Sequence, residues 1–102
     1  MLRFEIYEDK SGYIIRFYDR TYQADDEYSV FYQICKLIYG DVRPYDMLNL
    51  SDCNKCAVVE YVGNGFKIYT KNGSLRMYLK MLNEYSFDSS LVNRKTLSCP
   101  SV

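Results

Sequence analysis

The stretch that decides the fold is YIIRFYDRTYQADDEYSVFYQICKLI, residues 13–38. Its opening, Tyr13 to Tyr18, is β-branched and aromatic, and as a strand it turns Tyr13, Ile15 and Phe17 to one side. After a polar link the period changes. Val30, Phe31, Ile34, Leu37 and Ile38 recur at the spacing of one helical stripe. Asp25 or Asp26 can cap that helix, Asp26 and Glu27 suit the positive end of its dipole, and Gly40 followed by Pro44 stops it. A strand handing over to a helix, with the helix spanning about residues 26 to 39, predicts an α+β domain.

Working outward, residues 2–8 alternate apolar and polar, with Leu2, Phe4 and Ile6 on one face and Arg3, Glu5 and Tyr7 on the other. Asp9-Lys10-Ser11-Gly12 supplies the turn that joins this strand to the next as a hairpin. On the C-terminal side, residues 41–56 read as an irregular linker with a short apolar patch at Met47, Leu48 and Leu50. A second hairpin, 57–62 with 66–70, folds around Gly63-Asn64-Gly65. Ser74 can cap a second helix, over about 74 to 85, with Leu75, Tyr78, Leu79 and Leu82 as its stripe.

The expected architecture is two tandem ββα units, 2–40 and 57–86, within one domain spanning 1–88. A faint echo of Ile15-Arg16-Phe17-Tyr18 in Phe66-Lys67-Ile68-Tyr69 supports the tandem reading. Each unit alone leaves an apolar sheet face uncovered, so they should join into a four-stranded antiparallel sheet with both helices on one face. Residues 89–102 turn polar and aperiodic, as expected of a lightly ordered tail.

Thirteen basic residues balance thirteen acidic ones, so no global field draws the chain to phosphate backbones or anionic lipid. No apolar run approaches the ~20 residues that span a bilayer, and Met1-Leu2-Arg3-Phe4-Glu5 has no signal-peptide character, which leads us to expect a cytosolic protein without a membrane partner. Histidine is absent, which excludes Ser-His-Asp and Cys-His nucleophile systems and His-ligated catalytic metals. The carboxylates Asp25, Asp26 and Glu27 sit where a helix start wants negative charge. Neither an enzyme nor a bound cofactor is expected.

Of the four cysteines, Cys35 falls on the helix stripe, whereas Cys53 and Cys56 have the two-residue spacing that lets two thiolates reach one zinc. Two ligands are half a site. Completing it needs Cys99 from the tail and Cys35 from the core, so a metal site is only a weak candidate here.

Twelve tyrosines and five phenylalanines, with no tryptophan, are more aromatic surface than one small core absorbs, so some tyrosine should lie at an interface. Strand alternation places Tyr7, Ile14, Arg16, Tyr18, Val58, Val62 and Tyr69 on the sheet face away from the helices. Tyr and Arg around an apolar centre are the residue types that dominate binding hot spots. The expectation is a binding module whose partner is a host protein, a second copy of the chain, or both. A single-stranded nucleic acid stacking on the same tyrosines is the alternative. A compact, Tyr-rich chain with few alanines and no catalytic set resembles, in type rather than by motif, the small proteins with which phages and mobile elements block host enzymes, anti-CRISPR proteins among them. Such an inhibitor would work in the host cytosol by steric occupation.

Overall fold

Apolar residues at every second position build the middle of the sheet. Phe4 and Ile6 on β1 (Arg3–Asp9), Tyr13 and Ile15 on β2 (Gly12–Phe17) and Val59 on β4 (Asn54–Tyr61) are all buried on one face. The computed structural model describes residues 2–40 and 44–84, so the tail expected over 89–102, with Cys99, lies outside the described residues. The remaining elements are β3 (Arg20–Ala24), α1 (Glu27–Ile38), β5 (Phe66–Thr70), α2 (Gly73–Lys80) and a closing 3₁₀ turn, Met81–Glu84.

The strands form one antiparallel sheet in the order β3-β2-β1-β4-β5. Among the described residues the fold is thus α+β with two helices, but the sheet has five strands rather than four, and α1 follows three strands. The extra strand is β3, which had read as a polar link. Its turn is the two-residue loop Tyr18-Asp19 closing the pair Phe17↔Arg20, and it carries neither glycine nor asparagine. Tyr18 itself takes the positive φ, 59°, that such a turn requires. Arg20 and Gln23 point to solvent, while Tyr22 and Ala24 enter the core. The echoed segments are not equivalent either, since β2 is an interior strand and β5 an edge.

Both helices pack on the face that carries Phe4, Ile6, Ile15 and Val59. Val30, Phe31 and Ile34 from α1 and Leu75, Leu79 and Leu82 from α2 and its 3₁₀ extension share one cluster with them. Each such side chain contributes roughly 1.5–3 kcal/mol on burial. α1 starts where its cap predicted, the Asp26 carboxylate accepting the Ser29 N–H at 2.8 Å. The second helix is capped by Asn72, not Ser74, through Leu75 N–H at 3.0 Å, and so begins a residue earlier.

Both sheet edges are partly hydrogen-bonded. At β3, Thr21 and Asp46 exchange two backbone hydrogen bonds, the Thr21 hydroxyl donates to the Asp46 carbonyl, and it accepts the Leu48 N–H. This covers Thr21, which is only 5% exposed although it points away from the helices. At β5 the Asn83 amide takes the place of a sixth strand. It accepts the Phe66 N–H at 2.7 Å and donates to the Phe66 carbonyl at 3.0 Å, and Arg76 donates to the Thr70 carbonyl. Asn83→Ala should therefore cost about 1–2 kcal/mol and lower the melting temperature by roughly 5–10 °C. The freed edge should also make association concentration-dependent in sedimentation velocity; a variant as stable and monodisperse as the parent would show that Asn83 does not guard the edge.

Candidate functional site

The helix-free face is organised by strand register. Arg16, Glu5, Val58 and Tyr69 lie in one row across four strands, Ile14, Tyr7 and Lys55 in the row beside it, and Arg3, Glu60 and Lys67 in the row on the other side. A bulge in the β1–β4 ladder between Ile6 and Tyr7 pairs Tyr7 with Lys55 instead of Cys56, which is how Lys55 joins this face. β4 starts at Asn54, so Asn54 to Cys56 belong to a strand and not to the linker expected over 41–56.

Glu5 is the hub of the middle row. Its carboxylate lies 3.2 Å from Arg3, 3.7 Å from Arg16 and 3.5 Å from Lys55, and it accepts the Tyr7 hydroxyl at 2.9 Å. Partial burial pushes the carboxyl pKa up, but the hydrogen bonds from Tyr7 and Arg3 and the charge of Lys55 outweigh it, leaving the group below the usual carboxylate range. Arg3 also bridges to Glu60 at 2.8 Å. The centre of the face is therefore an ion-paired network.

Around that network the expected residues divide. Tyr69 is 51% exposed on β5, Tyr18 64% exposed in the β2–β3 turn, and Val62 40% exposed just past β4. Tyr7 and Val58 are half-buried, and Arg16 is exposed with its Nε donating to the Tyr18 carbonyl at 3.1 Å. Ile14 does not belong in the set. It is 3% exposed, too little for a partner to reach. Arg3, Glu5, Arg16 and Tyr18 enclose a concavity of about 350 Å³.

A larger groove of about 930 Å³ opens where β4 begins, β5 ends and α2 starts, lined by Lys55, Val58, Tyr69, Lys71, Asn72 and Arg76 among others. Sequence reasoning passed over its cations. Lys67, Tyr69 and Lys71 recur at every second position, a signal that was present, but Lys55 and Arg76 reach the groove only through the bulge and the placement of α2.

The three described thiols sit in different surroundings, Cys35 buried and Cys53 and Cys56 half-buried. Cys35 is fully buried on α1, and Cys56 packs against the core, where burial, then the nearby Glu8 carboxylate, pushes its thiol up to about 11. A thiol with that pKa is protonated near neutral pH and a poor nucleophile there. Among the described residues, no three His, Cys, Asp or Glu side chains converge as metal ligands, and no helix is long and apolar enough to cross a membrane. No protein-family model, no curated protein and no solved structure matches the chain.

Proposed function

We propose that this chain is a protein-binding module that acts by occupying a partner's surface with its helix-free sheet face, in the manner of the small inhibitors with which phages and mobile elements block host proteins. One observation carries the reading. Tyr18, Val62 and Tyr69 stand exposed around the Glu5 network, while each sheet edge is partly hydrogen-bonded, at Thr21 on one side and Phe66 on the other, which favours the face over an edge as the contact surface.

The network fits that role. Glu5 pairs with Arg3, Arg16 and Lys55, holding a pre-ordered polar centre between the aromatic positions. Tyrosine anchors around such a centre order few rotatable bonds on binding.

The test is affinity capture from host lysate followed by titration against the protein retained. Tyr69→Ala and Tyr18→Ala should each weaken binding about tenfold or more, with an unchanged circular dichroism spectrum. Equal affinity of both variants and the parent would sink the reading.

A further inference from the structure

The zero net charge conceals a basic end. Residues 2–40 carry five cations against seven carboxylates, whereas residues 54–84 carry five against two, Glu60 and Glu84. Three of those five, Lys55, Lys71 and Arg76, line the groove at the β4–β5–α2 corner, and no carboxylate lines it. Arg76 is tied to the Thr70 carbonyl and Lys55 leans on Glu5 at 3.5 Å, while Lys71 has no ion pair among the described residues. Like charges gathered in one concavity repel each other in the free protein, and an anion placed between them relieves that repulsion. Tyr69 forms one wall, with Val58 beside it on the paired strand, so the charged corner runs directly into the apolar part of the face.

We propose that this groove receives an acidic segment of the protein partner, whose Asp or Glu carboxylates bond to Lys71, Lys55 and Arg76 while an adjoining apolar side chain packs on Tyr69 and Val58. The inference rests on the reading of the face as a protein-binding surface. A single-stranded nucleic acid fits less well. One ring stands in the groove, and beyond it Glu5 and Glu60 interrupt the positive track that a phosphodiester chain follows. A peptide needs only the corner.

The experiment is titration of the isotope-labelled full chain with hexaglutamate, followed by amide chemical shifts. Saturable shifts at Tyr69, Lys71, Asn72 and Ser74 are expected at about 20 mM salt and should fade toward about 0.5 M. Lys71→Glu should lower hexaglutamate affinity at least tenfold without unfolding the chain, and Lys55→Glu should act in the same direction. Absent shifts at this corner would overturn the proposal, as would tighter binding of a short oligothymidylate at the same amides, which would make the occupant a nucleic acid. The two readings fail separately. If Lys71→Glu leaves affinity for the captured partner intact while Tyr69→Ala destroys it, the groove assignment falls and the face stands.

Discussion

Phe4→Ala is expected to destabilise the chain by about 3–5 kcal/mol, a large share of the stability of a domain this size. Phe4 is fully buried on the central strand, its ring stacked on Phe17 at 4.6 Å and its backbone opposite both Phe17 and Val59. The substitution removes a fully buried ring from the strand that joins both halves of the sheet, β2 and β3 on one side and β4 and β5 on the other. Because β1 pairs with β4 across more than 40 residues of chain, no local hairpin can compensate for the loss. A domain of this size has about 5–15 kcal/mol of stability in total. Urea denaturation followed by far-ultraviolet dichroism measures the effect, with Phe4→Leu, expected to cost under about 2 kcal/mol, as the volume-preserving control. A loss below about 1 kcal/mol for the alanine would mean that the sheet is not centred on this residue.

Much of this core was legible because it depends on local period. Val30, Phe31, Ile34, Leu37 and Ile38 announce one face of a helix, Asp26 announces its start, and Gly63-Asn64-Gly65 announces the second hairpin. What stayed hidden depends on partners distant in sequence. β3 starts from a turn without glycine, and Thr21 is buried by Asp46, 25 residues away. Alternation assigned Ile14 to the helix-free face correctly but carries no information about what covers that face. Charge behaves alike. Thirteen cations against thirteen carboxylates imply a neutral surface, yet the bulge that turns Lys55 outward and the start of α2 that brings in Arg76 sort those charges into a basic corner. The fold class follows from short-range pattern, whereas the candidate site is made by register.

Tyr13→Phe should cost about 2 kcal/mol at neutral pH and, unlike the core truncation, its effect should vanish in alkali. The Tyr13 hydroxyl donates to the Glu27 carboxylate at 2.5 Å and accepts from the Asn72 amide at 3.3 Å. Glu27 is the first residue of α1 and Asn72 the cap of α2, so one strand hydroxyl ties the starts of both helices to β2. Losing a hydrogen bond to a charged group accounts for the neutral-pH cost. Burial, then the Glu27 carboxylate, pushes the Tyr13 hydroxyl from the ordinary 10 up to about 12. A group whose folded pKa is raised contributes stability that is complete below its unfolded value and disappears as pH rises through the folded one. The parent should thus lose about 2–3 kcal/mol between pH 10 and 12 through this residue, at about 1.4 kcal/mol per pH unit. The phenylalanine variant has no proton to lose there, so its stability curve should fall less steeply and meet that of the parent near pH 12. Urea midpoints for both proteins at neutral pH and across that alkaline window decide it. A gap that stays constant from neutrality to pH 12 would show that the hydroxyl does not hold the two helix starts.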